Sequence, residues 1–182
     1  MSCSIFFLVI NSRAIASDDI CAYSSLPQAV ERLLVTKYPD WNAWKLPDES
    51  PYLEKWTKEH SKNCPGIASG YFESRTQLSH AILLVPKDPE KLGYRLVVLS
   101  KWKASGQDTY RERILWEDDS ELARKVVYGY IYTVPPGTYW DFDKTRNVQI
   151  GMEGFVYRLI VGRQTILFYW HQDKYADITI GE

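Results

Sequence analysis

The spacing of apolar positions predicts a helix near the start of the folded part of the chain. After Ser25-Leu26-Pro27, apolar side chains recur every three or four positions and so share one helix face: Leu26, Val30, Leu33, Leu34 and Tyr38. Serine supplies a capping oxygen and proline is tolerated in a first helical turn, so we expect the helix to begin here. Pro39 ends it. A second, shorter helix is expected from Ser50-Pro51 to about His60.

From Ile67 onward the pattern changes to short apolar and aromatic stretches that are separated by tight polar turns. These stretches have strand character: Ile67–Phe72, His80–Val85, Tyr94–Ser100, Tyr110–Trp116, Val126–Val134, Phe155–Val161, Gln164–Trp170 and Tyr175–Ile180. Short turns join neighbouring strands as hairpins, so the strands are expected to be antiparallel. The sequence therefore predicts an α+β fold, in which an N-terminal helical pair precedes an antiparallel β-sheet of about seven strands.

The first sixteen residues differ from the rest of the chain. An apolar run, Ser4 to Ile10, is followed by Ala14-Ile15-Ala16, which is the order of segments in a secretory signal peptide. The alternative is a buried N-terminal strand. With residues 1–16 as a signal peptide, residues 17–182 form a single α+β domain. We expect this domain to be periplasmic or secreted, with no membrane span after cleavage.

The cysteines agree with export. Cys3 lies in the removable segment, which leaves Cys21 and Cys64 in the mature chain. In an oxidising compartment two remaining cysteines most simply form a disulfide bond. If the chain stayed in the cytosol, they would instead be two buried thiols. We predict a Cys21–Cys64 disulfide that ties the approach to the first helix to the exit of the second.

Charge and motif content exclude several classes of function. The chain has 22 Lys and Arg against 23 Asp and Glu, a net charge of -1, so it has no general attraction to nucleic acid. It contains no zinc-ligand spacing, no phosphate-binding loop and no serine nucleophile elbow. We therefore predict no catalytic residue, no metal and no cofactor.

Acidic residues leave one route to catalysis open. Asp141 and Asp143 are two positions apart and would share a face of an extended segment, as a pair of hydrolytic carboxylates requires. His171 lies in a turn beside Asp173 and forms a second candidate pair. The alternative is that the two aspartates lie in a loop and accept hydrogen bonds from nearby backbone amides.

Aromatic residues give a stronger indication of function. Tyr128, Tyr130 and Tyr132 alternate along one predicted strand and so project from the same face. The residues expected to form a binding surface are Tyr128, Tyr130, Tyr132, Tyr139, Trp140, Asp141 and Asp143. Tyrosine and tryptophan suit both protein interfaces and stacking on sugars. The alternative is that these tyrosines cap the core; three tryptophans at strand ends are expected in the core, namely Trp102, Trp116 and Trp170.

Four segments of the chain carry a resemblance to other proteins: Ala29–Leu34 with Tyr38–Trp41, Cys64–Phe72 (C-P-G-x-A-x-G-x-F), Ala81–Val85, and the tail Phe168–Trp170 with Lys174-Tyr175. Together they resemble a group of small exported bacterial proteins of unassigned function. Members of that group have a Gly-Asp-Phe-Asp-Gly stretch where this chain has Gly70-Tyr71-Phe72-Glu73-Ser74. Aspartates in such a loop would suggest calcium, but too few anionic ligands remain here to predict it.

These observations lead to three hypotheses about function. The first is a non-catalytic exported domain that binds an envelope protein, such as a toxin or hydrolase, as an inhibitor or immunity protein does. The second is a glycan- or peptidoglycan-binding module that stacks sugars on Tyr130, Tyr132, Tyr139 and Trp140. The third is a hydrolase that uses Asp141, Asp143 or His171.

Overall fold

The computed structural model describes residues 19–60, 63–104, 107–119, 129–160 and 164–181. These residues form two α-helices and eleven β-strands in antiparallel sheets. The elements are α1 (Gln28–Lys37), β1 (Trp41–Ala43), α2 (Leu53–His60), β2 (Ile67–Gly70), β3 (Ser79–Pro86), β4 (Tyr94–Ala104), β5 (Gln107–Asp118), β6 (Gly129–Val134), β7 (Gly137–Asp141), β8 (Arg146–Ile150), β9 (Gly154–Leu159), β10 (Thr165–His171) and β11 (Lys174–Ile180).

The strands divide into three sheets. The first sheet has the order β1-β3-β4-β5, and β2 pairs with the same strand, β3, as β1 does. The second sheet has the order β11-β10-β9-β6, and β7 and β8 form a separate hairpin. The prediction of a mixed α+β fold is confirmed, but two of its details are wrong. Strand β1 separates the two helices, so they are not a consecutive pair, and the strands form three sheets instead of one of about seven strands.

The layers are stacked in the order α1, first sheet, second sheet and hairpin. In β3, Ala81 and Leu83 face the second sheet, whereas Ile82 and Leu84 pack with α1. Both faces of this strand are therefore buried, which explains its continuous apolar sequence. Strand β9 is buried in the same way. Its Phe155 contributes to the core between the sheets, and its Val156 packs on the side of the hairpin.

The start of α1 differs from the expected capping arrangement. Pro27 occupies the N-cap position and no side chain caps the helix there. Ser25 belongs to a preceding 3-10 turn, Tyr23–Ser25, and its hydroxyl donates a hydrogen bond to the carbonyl of Ala22 at 2.8 Å. The serine therefore stabilises the approach to the helix and does not satisfy the first amides of α1.

A Cys21–Cys64 disulfide is present, as predicted. Cys21 precedes α1 and Cys64 follows α2, and both are buried in the apolar cluster that joins α1 to the first sheet. The bond crosslinks positions 43 residues apart. The expected signal peptide and Cys3 lie outside the described residues. No helix in the described ranges is long and apolar enough to cross a membrane.

Reducing the disulfide should destabilise the protein. Closing a loop of this length lowers the entropy of the unfolded chain enough to stabilise the fold by about 4 kcal/mol. We expect urea denaturation with reductant to give a free energy of unfolding lower by about 3–4 kcal/mol. As a control, reductant should have no effect on the double variant Cys21→Ala/Cys64→Ala. Equal stability with and without reductant would contradict a structural role for the bond.

Candidate functional site

The two faces that form the core between the sheets are apolar in the middle and polar at one end. Along β4, Leu96 and Val98 are buried in this core, and Ser100 and Trp102 follow on the same face because side chains alternate along a strand. The neighbouring strands β3 and β5 also have polar residues at this end, directly opposite Ser100. Ser79 of β3 and Arg111 of β5 both pair with Ser100.

The second sheet supplies the opposite wall of this polar end. Trp170 of β10 pairs with Tyr175 of β11, and their rings meet edge to face at 5.1 Å. Between the two sheets lies an open cleft of about 380 Å³. We call it the inter-sheet cleft, and its principal lining residues are Ser79, Ser100, Trp102, Arg111, Arg113 and Trp170. A cavity of this size lies within the usual range for small-molecule sites.

A charge pair closes the inner end of the inter-sheet cleft. Glu73 enters from the segment between β2 and β3, and its two carboxylate oxygens lie 2.7 and 2.8 Å from Nη1 of Arg113. The hydroxyl of Ser100 donates a hydrogen bond to the same carboxylate. The Arg113 guanidinium also lies over the Trp170 ring, 4.6 Å from its centroid. Arg113 is thus held by a carboxylate and an aromatic face together.

Two buried hydroxyl groups lie beside this charge pair. Burial raises the pKa of Tyr175 far above its ordinary value, and the negative charge of the neighbouring Glu73 adds to the effect. Tyr175 therefore keeps its proton at any physiological pH. The Ser79 hydroxyl is buried and has no hydrogen-bond partner among the described residues. A buried hydroxyl with unused hydrogen-bonding capacity is uncommon in folded proteins and can accept a water molecule or a ligand group as its partner.

The outer end of the inter-sheet cleft is formed by Trp102 and Arg111. The Arg111 guanidinium lies over the Trp102 ring, 4.0 Å from its centroid. Trp102 is 48% exposed, so the expectation that it belongs to the core is wrong. Trp116 packs against the core between the sheets, as expected. Trp170 is half-buried and contacts Arg113 and Tyr175.

The predicted tyrosine surface is mostly covered. Tyr130 and Tyr132 do project from one face of β6, but α2 lies over that face. Tyr130 is only 4% exposed, with its ring 4.8 Å from Trp56, and Tyr132 lies 4.9 Å from His60. Tyr128 lies outside the described residues. The arrangement agrees with the alternative reading, in which these tyrosines cap the core.

The β7–β8 hairpin contains the remaining predicted residues, and they have different environments. Tyr139 is half-buried and donates a hydrogen bond to the Pro135 carbonyl at 2.7 Å. Trp140 is 43% exposed and presents its ring to solvent. Phe142, which was not among the predicted residues, is 55% exposed. The hairpin thus presents two large apolar side chains to solvent.

Asp141 and Asp143 both stabilise the turn that follows β7. Asp141 is 1% exposed, accepts hydrogen bonds from the amides of Asp143 and Lys144, and lies 3.5 Å from Arg146. Asp143 accepts a hydrogen bond from the Thr179 hydroxyl at 2.6 Å. The contacts of Asp141 match the loop alternative, in which an aspartate binds nearby backbone amides. Asp143 instead binds a side chain of β11.

The structure separates the candidate groups for hydrolysis. His171 pairs with Lys174 at the beginning of β11. The two aspartates lie near the end of that strand, because the amide of Phe142, which stands between them in the sequence, donates to the Thr179 carbonyl. Five residues of extended chain span about 17 Å, so the histidine and the aspartates cannot act on one bond. Within the described ranges, no group of three His, Cys, Asp or Glu side chains is arranged to hold a metal ion.

Sequence reasoning missed the inter-sheet cleft, although one indication of it was available. Serines at positions 79 and 100 occupy inward-facing sites of otherwise apolar strands, where each would leave a buried hydroxyl. Their register with Arg111 depends on the pairing of β3, β4 and β5, which joins distant parts of the chain. The aromatic wall from β10 and β11 depends on the packing of the two sheets.

Comparison with known proteins finds no match. No family model fits the sequence, and no curated protein and no solved structure is similar to it. The function proposed below therefore depends on the geometry of the site itself.

Removing Arg113 should destabilise the protein by leaving Glu73 without its counter-ion in a half-buried site. We expect Arg113→Gln to lower the free energy of unfolding by about 2 kcal/mol. The double variant Glu73→Gln/Arg113→Gln should regain at least half of that loss. The control is Lys55→Gln, which removes an exposed pair with Glu59 and should change stability by less than about 0.5 kcal/mol. Equal urea midpoints for the wild type and Arg113→Gln would contradict the role of the pair.

His80 should make stability depend on pH. It is buried in β3, its Nδ1 atom lies 2.8 Å from the Ser69 hydroxyl, and burial lowers its pKa to about 4. Between pH 6.5 and 4 the unfolded chain binds a proton at this residue that the folded chain does not. Stability should therefore fall as pH falls through this window, by at most about 1.4 kcal/mol per pH unit.

The variant His80→Asn tests this origin of the pH dependence, because its amide group can still bind Ser69 but does not titrate. Urea midpoints measured from pH 7 to 5 should fall less steeply for the variant than for the wild type. The control is His171→Asn, since His171 is exposed at the end of β10. An unchanged slope in His80→Asn would assign the pH dependence to other groups.

Proposed function

We propose that this protein is an exported, non-catalytic binding domain of the bacterial envelope that takes a glycan in the inter-sheet cleft. The observation that carries the proposal is the presence of two tryptophans, Trp102 and Trp170, beside a half-buried charge pair in one open cleft. This combination places two aromatic rings, each with a guanidinium over one face, beside strong hydrogen-bonding groups. Small-molecule sites have this composition, with few polar groups that fix the orientation of the ligand.

The chemistry of a sugar matches that of the cleft wall. One face of a pyranose ring carries C–H groups that pack on an aromatic ring, while its hydroxyl groups need both donors and acceptors at the ring edge. Glu73 and Arg113 supply a charged acceptor and donor, and the buried Ser79 hydroxyl supplies either. Because Glu73, Arg113 and Ser100 already bind one another, the polar wall is ordered before a ligand arrives.

Export is supported by the disulfide between Cys21 and Cys64. Such bonds persist in secreted and periplasmic proteins and are rare in the cytosol, where thiols are kept reduced. An envelope location would also bring the domain into contact with extracellular and cell-wall glycans. The sequence of residues 1–16 supports the same location through its likeness to a signal peptide.

A protein partner of inhibitor or immunity type is the second candidate. The observation that favours it is the exposure of Trp140 and Phe142 on the β7–β8 hairpin, on a different surface from the inter-sheet cleft. Exposed large aromatics are typical centres of protein interfaces. A toxin or hydrolase of the envelope would be the partner in that case.

Two tryptophan variants separate the candidates. Trp102 and Trp140 are similarly exposed, so replacing either with alanine removes a comparable surface ring. We expect Trp102→Ala to weaken glycan binding about tenfold, because a lost stacking contact costs about 1.4 kcal/mol. Trp140→Ala should bind glycans as the wild type does. Isothermal titration and affinity electrophoresis with purified polysaccharides and peptidoglycan fragments measure the effect.

Other results would contradict the glycan proposal. If no glycan binds to the wild type, or if Trp102→Ala binds as tightly as the wild type, the inter-sheet cleft is not a sugar site. A stoichiometric envelope protein that is retained by the wild type and by Trp102→Ala, but lost in Trp140→Ala, would support the second candidate.

A further inference from the structure

Two arginines on one face of β5 have different roles in the inter-sheet cleft. Arg113 is neutralised by Glu73 through two short contacts. Arg111, two residues earlier, lies at the outer end of the cleft and forms no ion pair with another described residue. Its guanidinium contacts the Trp102 ring. Lys101 and Asp173 also line the cleft. Of its two guanidinium groups, that of Arg113 is paired with a carboxylate at short distance, and that of Arg111 is open to a ligand.

The stacking of Arg111 determines what it is able to bind. The Arg111 guanidinium lies over the Trp102 ring and has no charged partner in the described part of the chain, so its N–H groups remain able to donate hydrogen bonds to a ligand. Those groups form a fork that matches the two oxygens of a carboxylate. The Trp102 ring also restricts the motion of the guanidinium, so less conformational freedom is lost when an anion binds.

We infer that the glycan bound in the inter-sheet cleft is an acidic sugar, whose carboxylate pairs with Arg111 while its ring stacks beside Trp102. This inference rests on the proposed function and names the class of sugar. A single guanidinium balances one negative charge. A dianionic phosphate would carry surplus charge into a cleft whose lining already contains the Glu73 and Asp173 carboxylates, and like charges at short range repel. A carboxylate therefore fits better than a phosphate.

The buried Ser79 hydroxyl supports a ligand that reaches the inner wall. It pairs in register with Ser100, which in turn pairs with Arg111, so the three residues lie in one row across β3, β4 and β5. A carboxylated sugar held by Arg111 would have its ring hydroxyls directed along this row. Ser79 has hydrogen-bonding capacity for such a group, because it has no partner in the described part of the chain.

The test compares acidic sugars with their uncharged esters. The probes are oligosaccharides of galacturonate, glucuronate and N-acetylmuramate, each beside its methyl ester, which keeps the ring and hydroxyls but removes the charge. Isothermal titration with the full protein should show that at least one acid binds ten times more tightly than its ester. In Arg111→Gln this preference should fall to about twofold or less.

Two further variants make the result specific to Arg111. Arg111→Lys keeps the charge but loses the planar fork, so it should retain only part of the preference. Arg32→Gln removes the same charge from an exposed position on α1 and should leave the preference unchanged. Raising the salt concentration should weaken binding of the acid more than binding of the ester.

The outcomes distinguish this inference from the proposed function. Esters and neutral glycans that bind as tightly as the acids, with Trp102→Ala still weakening them, would overturn the acidic-sugar inference and leave the glycan site intact. Retention of the full preference in Arg111→Gln would overturn it as well. Absence of binding to every acid, ester and neutral glycan would overturn the proposed function itself.

Discussion

The candidate site depends on a difference in length between two packed sheets. Strands β4 and β5 have 11 and 12 residues, whereas β9 and β10 of the opposing sheet have 6 and 7. At about 3.3 Å per residue, β4 is about 13 Å longer than β10. The second sheet therefore leaves one end of the first sheet's inner face uncovered. Polar side chains replace apolar ones at that end because an exposed apolar strand face would be unstable in water and prone to association.

The boundary between the dry core and the open cleft is set by Glu73 and Arg113. Glu73 follows Phe72, which is fully buried between the sheets, and the amide of Tyr71 donates to Glu153 at 2.6 Å. The apolar anchor thus brings the carboxylate to the edge of the core, where it meets a guanidinium from β5. Either charge alone would be costly at this half-buried position, whereas the pair is stabilised by two short contacts. At the edge of the core, the negative charge of Glu73 and the positive charge of Arg113 therefore balance each other.

The sequence allowed prediction of the features that depend on local patterns and covalent pairing. Both helices, the antiparallel strand character and the Cys21–Cys64 disulfide follow from spacing, turns and cysteine count. Strand β1 was missed because three residues are too few to show a period. Strands β7 and β8 were missed because each has only five residues, of mixed polar and apolar character. The tyrosine surface was misjudged because the burial of Tyr130 depends on α2, about 70 residues earlier in the chain.

Arg111 and Arg113 differ in ion pairing because they lie at different depths in the inter-sheet cleft. The two side chains share a strand and a face, and each lies over a tryptophan. Arg113 lies where the second sheet still covers the first, so its charge had to be matched within the protein. Arg111 lies one pair further out, where water screens its charge and no internal partner is needed. Arg113, which is paired with Glu73, and Arg111, which has no such partner among the described residues, are about 7 Å apart along the strand. A ligand with one anionic end would therefore bind in one orientation, with that end at Arg111.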